Sequence, residues 1–214
     1  MKTSLAMLFA LIQASAWATT YTFASGNYTT VTNFTACATG PCANYTTSMQ
    51  TSGSFTTAAP LAANLANQNI FAQVTSFSLS DGIVTYSSAD PNSRVYSFVV
   101  STNAAGQITS SQIVLEEWQS TPHTPPSRVA ILELIASTAS AFNNTACTAD
   151  TTSPAGVADT CTAAIVDASG SSAQSTVLTS NIPNVPTVGE WGLVCLAGCM
   201  LVLAWMRLRR RQIS

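Results

Sequence analysis

The chain has 214 residues, with seven Lys or Arg against nine Asp or Glu and a formal net charge of −2; that length suits one domain with extensions. Five of the seven basic residues lie near the ends, so residues 19–185 keep only Arg94 and Arg128 against eight carboxylates. This acidic middle excludes nucleic acid as a partner, since phosphate binding needs Lys and Arg to release counterions, and it argues against docking on anionic lipid.

In chain order, Lys2 is followed by an apolar run over 5–12 and by small residues at Ala14, Ala16 and Ala18. That is the pattern of a secretory signal peptide, cut by signal peptidase after Ala18. The run is well short of the roughly 18 apolar residues of a membrane span. The chain therefore reads as exported, and residues 1–18 as its signal helix.

Thr-rich, β-branched and aromatic runs then alternate with turn signals. Strands are expected over 21–23, 28–34, 45–50, 70–80, 83–87, 94–101, 107–118, 128–136 and 163–167. Asp81-Gly82 between two of these runs predicts a hairpin, because glycine accepts the positive φ of a tight turn. Over 94–101, Val95, Ser97 and Val99 alternate with Tyr96, Phe98 and Val100, so both faces are largely apolar, as in the central strand of a two-sheet packing. Residues 60–67 could hold a short helical turn, and 131–141 is ambiguous between helix and strand. The tetrapeptide Asn-Tyr-Thr-Thr occurs at 27–30 and 44–47, too little to indicate a duplication. Eight or nine short strands point to an all-β sandwich, although the pattern leaves a β-barrel open. Residues 169–184 lose the apolar pattern and read as a Ser/Thr-rich linker.

Four cysteines, Cys37, Cys42, Cys147 and Cys161, lie in the exported region and allow three disulfide connectivities. The sequence-local pairing, Cys37 with Cys42 and Cys147 with Cys161, is expected across two turn-rich loops. A zinc site fits less well, because neither pair has the C-x₂-C spacing and an oxidising compartment favours disulfides.

Few residues suggest chemistry. His123 is the sole histidine, in a proline-flanked loop with no nucleophile signature beside it, and reads as a loop residue. Glu116 and Glu117 are adjacent, so on a strand they face opposite ways and cannot form the facing pair of a glycosidase. Trp118 is a possible glycan contact by stacking on a sugar ring, although a core or interface role is the favoured reading. Asp81-Gly82 and Asp90-Pro91-Asn92 lack the donor alternation of a calcium loop and read as turns. Asn-x-Thr matches at Asn27, Asn33, Asn44 and Asn143 are what an Asn- and Thr-rich chain produces by chance. No cofactor or metal is expected.

The C-terminus reads VPTVGEWG, then an apolar run of 16 residues from Trp191 to Met206, then Arg207, Arg209, Arg210 and Arg211. As a helix the run is about 24 Å long, against a hydrocarbon core of about 30 Å. The arginines would hold the end in the cytoplasm. Cys195 and Cys199 share one face of that helix and read as small apolar residues. The arrangement resembles the IPTL-CTERM sorting signal, a relative of the PEP-CTERM signals, matching at Pro186, Thr187, Glu190, Trp191 and Gly192. Val185 and Val188 are conservative departures and Gly189 a larger one. The resemblance implies an exosortase, a membrane protease/transpeptidase of Gram-negative bacteria, as partner. It further implies an inner-membrane precursor with its domain in the periplasm, then release or attachment at the cell surface or matrix.

The expectation from sequence is thus a single β-sandwich ectodomain over 19–168, with an N-terminal signal helix, a linker over 169–184 and a transmembrane sorting helix within 185–214. Its expected role is that of a non-enzymatic surface or matrix protein processed by an exosortase. The alternative is a carbohydrate-binding or adhesive module whose partner is an extracellular polysaccharide.

Overall fold

The computed structural model describes residues 18–34, 36–37, 42–181 and Gly198. Its elements are thirteen strands and one 3₁₀ turn, Phe71–Gln73. They belong to the first of two compact units, Met1–Ile182; the second, Pro183–Ser214, is described only at Gly198.

All strand pairings are antiparallel, in two open sheets. The smaller sheet runs, edge to edge, through β13 (Leu178–Asn181), β1 (Thr19–Asn27), β3 (Gln50–Thr57), β5 (Val74–Ser80) and β6 (Thr85–Ser87). The larger runs through β2 (Thr30–Thr32), β12 (Ser171–Ser175), β10 (Thr138–Thr151), β9 (Arg128–Ile135), β8 (Ile108–Trp118), β7 (Ser93–Thr102) and β4 (Gln68–Asn69). An eighth strand, β11 (Thr160–Ile165), pairs only with β10.

Period-two alternation puts one set of side chains from each sheet into a common core. Tyr21 and Phe23 of β1, Phe55 of β3 and Leu79 of β5 bury against Phe98 of β7, Ile113 and Leu115 of β8, and Leu132 and Leu134 of β9. Phe55 stacks on Tyr21 at 4.9 Å and meets Phe98 of the other sheet edge-on at 4.9 Å. Full burial of each such side chain is worth about 1.5–3 kcal/mol, so this seam holds the sheets together. Gly53 lets β3 and β5 approach at its centre: a Cβ there would lie 2.3 Å from the Ser78 carbonyl oxygen.

The Asp-Gly dipeptide does turn the chain between β5 and β6, and its aspartate does more. Asp81 is fully buried. Its Oδ1 accepts the Ile83 and Val84 amides at 2.8 and 2.7 Å, and its Oδ2 the Tyr45 and Tyr86 hydroxyls at 2.8 and 2.9 Å. The Tyr28 hydroxyl donates to the Asp81 backbone carbonyl at 2.8 Å. Both tyrosines of the repeated Asn-Tyr-Thr-Thr thus end on one residue, and their rings meet edge-on at 5.6 Å. Burial beside this carboxylate pushes the Tyr28 phenol up to about 12 and raises those of Tyr45 and Tyr86 as well.

Several expectations are corrected. A sandwich bracketed by a signal helix and a transmembrane sorting helix is replaced by two open sheets of unequal size. Among the described residues no helix is long and apolar enough to cross a membrane. A span needs about 20 apolar residues whose backbone groups bond within the segment, whereas the described chain is strands that bond to one another and alternate apolar with polar. The IPTL-CTERM-like reading therefore loses its defining element. The exosortase-processed surface protein and its inner-membrane precursor go with it. Residues 1–17, the motif residues Val185, Pro186, Thr187, Glu190, Trp191 and Gly192, Cys195, Cys199, and Arg207, Arg209, Arg210 and Arg211 lie outside the described residues.

Smaller differences have local causes. The stretch expected as a linker supplies β12 and β13, small polar strands that pair with β10 and β1. Residues 60–67 form a turn and no helix. The ambiguous 131–141 splits at Ala136, which has φ +54, into β9 and β10. In β7 an extra residue at Tyr96 breaks the register, since Val95 faces Leu115 while Ser97 faces Val114. The buried set is therefore Val95, Phe98 and Val100, drawn from both expected faces.

Candidate functional site

The outer face of the larger sheet carries the site. On β8 and β9 the residues pointing away from the shared core are Gln112, Val114, Glu116 and Trp118, and Val129, Ile131, Glu133 and Ile135, in register across the pair. β10 does not stay flat beside them. Phe142 faces Ile131 and Thr145 faces Val129, so β10 carries one extra residue around Asn144, which adopts φ +55. Two further irregularities follow between Cys147 and Asp150. Bulges of this kind bend and twist a strand, and the β10–β11 hairpin lies over the sheet and reaches β7. Ser153 Oγ donates to the Val95 carbonyl at 2.7 Å, and the Ala155 amide donates to that of Tyr96.

Three features fasten the hairpin. Cys147 is bonded to Cys161 across it, as Cys37 is to Cys42 elsewhere. Trp118, Val129, Cys147 and Cys161 form a small second core beneath it. The Cys161 amide donates to Glu116 Oε2 at 2.9 Å.

Between the hairpin and the exposed half of the face lies a cleft of about 330 Å³, within the range of small-ligand sites. Val114, Ile131 and Phe142 give it apolar walls, and Tyr96, turned outward by its bulge, stands at the β7 side. Its polar groups are Gln112, Glu116, Glu133, Thr145 and Thr162. Glu116 and Glu133 are diagonal neighbours, because Glu133 faces Val114, two residues before Glu116; such pairs have Cα atoms about 7–8 Å apart. Burial raises both carboxyls, that of Glu116 to about 8 against the opposing pull of the Cys161 amide and Arg94. Thr145 is buried and its Oγ1 has no hydrogen-bond partner among the described residues.

The residues singled out from sequence fall mostly beside this cleft. Trp118 is 2% exposed and donates its indole N–H to the Asp159 carbonyl at 2.9 Å, so it supports the hairpin and offers no ring to a sugar. His123 stacks on Trp118 at 5.5 Å, with Arg94 on Nδ1 at 2.9 Å and Asn92 on Nε2 at 3.1 Å. Burial and the neighbouring guanidinium lower its pKa. Glu117 points away from Glu116 and bonds Ser93 Oγ. Asp90 Oδ1 accepts the Asn92 amide, closing a turn. Among the described residues no group of three His, Cys, Asp or Glu could hold a metal ion. Sequence reasoning missed Glu133 as the neighbour of Glu116, because that pairing depends on the β8–β9 register. A polar glutamate in the otherwise apolar Val129–Ile135 run was the only signal available.

Comparison with protein-family models, with curated proteins and with solved structures finds no match.

Proposed function

We propose that the protein is a non-enzymatic binding module that takes a carbohydrate in the cleft between the β10–β11 hairpin and strands β8 and β9. One observation carries this reading. The cleft combines aromatic rings at its two sides, Tyr96 on β7 and Phe142 on β10, with oxygen and amide groups from Gln112, Glu133 and Thr162. A sugar ring presents an apolar face and a rim of hydroxyls, and needs both kinds of surface. Binding without cleavage is favoured because the two carboxyls sit side by side on the cleft floor, whereas glycoside hydrolysis places them on opposite sides of the scissile bond. Glu116 is also tied to the Cys161 amide and is nearly inaccessible.

A glycan array probed with the full chain tests this. One polysaccharide class should be retained, and Tyr96→Ala should weaken it at least tenfold without lowering the melting temperature by more than a few degrees. Retention of no glycan, or binding indifferent to Tyr96→Ala, would remove the reading.

A further inference from the structure

Two carboxyls, Glu116 and Glu133, share the cleft, and no Lys, Arg or His among the described residues lines it. Arg94 stands directly opposite Glu116 in the β7–β8 register. Its guanidinium is engaged instead by the Pro91 and Ser93 carbonyls at 2.6 and 2.9 Å and by His123 Nδ1. Glu133, half-buried beside Val114, has no hydrogen-bond or ion-pair partner among the described residues, and burial raises its carboxyl. A partly desolvated acid without a counter-charge is a costly arrangement that an incoming cation relieves.

A second, independent observation points the same way. Thr145 lines the cleft, and its buried Oγ1 lacks a partner among the described residues. Buried hydroxyls without partners are uncommon and call for an explanation. A threonine hydroxyl has two lone pairs to offer an N–H donor. The bulge at Asn144 makes this placement, since without it residue 145 would face the shared core.

We infer that the sugar this cleft accepts bears a positively charged amine, so that the ligand is an amino sugar with its ammonium group against Glu133 and another of its donors directed towards Thr145, further along the cleft. The inference rests on the carbohydrate reading above and adds the charge of the ligand. An ammonium group has three N–H donors and no acceptor, which suits a site whose side chains offer mainly oxygen acceptors.

The test is calorimetric titration of the full chain at pH 6 with three probes: chitosan tetrasaccharide, its fully N-acetylated counterpart, and spermidine. The expected result is at least tenfold tighter binding of the free-amine sugar than of the acetylated one. Glu133→Gln should bring that ratio close to one, whereas Asp150→Asn, outside the cleft, should leave it intact, with thermal melting showing both variants folded. Equal or tighter binding of the acetylated sugar would overturn the amine and leave the carbohydrate reading standing. Binding of spermidine with neither sugar retained would support the cation and remove the sugar. No binding of any probe would overturn the amine, and retention of another polysaccharide on the glycan array would leave the carbohydrate reading standing.

Discussion

Glu116 shows how one side chain can be legible in type and illegible in role. Its alternation with Val114 and Trp118 assigned its face correctly, but its neighbour Glu133 and its donor Cys161 come from other strands. Its carboxyl titrates near 8 in the fold against 4.5 in the unfolded chain. Between those values the native state holds the extra proton, so this group's contribution to stability is full below about 4.5 and is lost as pH rises through 8. Glu133 and Glu117 act in the same direction. His123, whose pKa is lowered, acts oppositely and costs stability as pH falls below 6.5. Urea midpoints at pH 5 and pH 8 should therefore fall less in Glu116→Gln than in the wild type; an unchanged difference would mean that Glu116 is ionised in the fold. Asp81 was legible as a turn residue because the Asp-Gly signal is local. Its capture of tyrosines from 28, 45 and 86 is not local, and no short pattern announces it.

At the scale of elements, most strands were visible and their phases were not always so. β8 and β9 alternate simply along the length over which they face each other, and the hydrophobic period places them. β7 and β10 each contain an added residue, which no composition signal marks, and these two irregularities shape the cleft. β12 and β13, small and polar, were read as linker because strand propensity there is weak; pairing with β10 and β1 decides the matter. The disulfide at Cys147–Cys161 closes 14 residues of hairpin, a loop length for which cross-linking is worth about 3 kcal/mol. Cys147→Ser with Cys161→Ser should lower stability by about that amount. The same double variant should weaken glycan retention, because the Cys161 amide that anchors β11 to Glu116 is freed to move. Stability loss without any effect on binding would mean that the hairpin is held by the Trp118 core alone.

For the whole molecule, the decisive contacts are those between the sheets. Phe98 receives Phe55 edge-on and lies 6.5 Å from Phe77, so a residue of the larger sheet is enclosed by two strands of the smaller one. Phe98→Ala should cost about 3–5 kcal/mol, and denaturation followed by fluorescence and by circular dichroism should show a single transition shifted equally in both. Separate transitions would indicate that the sheets unfold independently. The all-β character of this unit could be read from the chain; the division into five and eight strands could not, since it depends on which distant segments pair. The expectation of flanking helices came from the terminal segments, and the described chain supplies no spanning helix to support it.

The added residue at Asn144 has a consequence beyond local bending. A strand side chain points up or down by the parity of its number, and β10 changes parity midway: Ala139 and Ala141 are buried towards the shared core, whereas Thr145 and Cys147 face the opposite side. The strand is therefore two half-strands in opposite phase, one belonging to the core and the other to the cleft. An insertion or deletion of one residue between Phe142 and Thr145 would act on the cleft as a frameshift acts on a message, inverting every position that follows while leaving the preceding half, and the core it serves, unaltered.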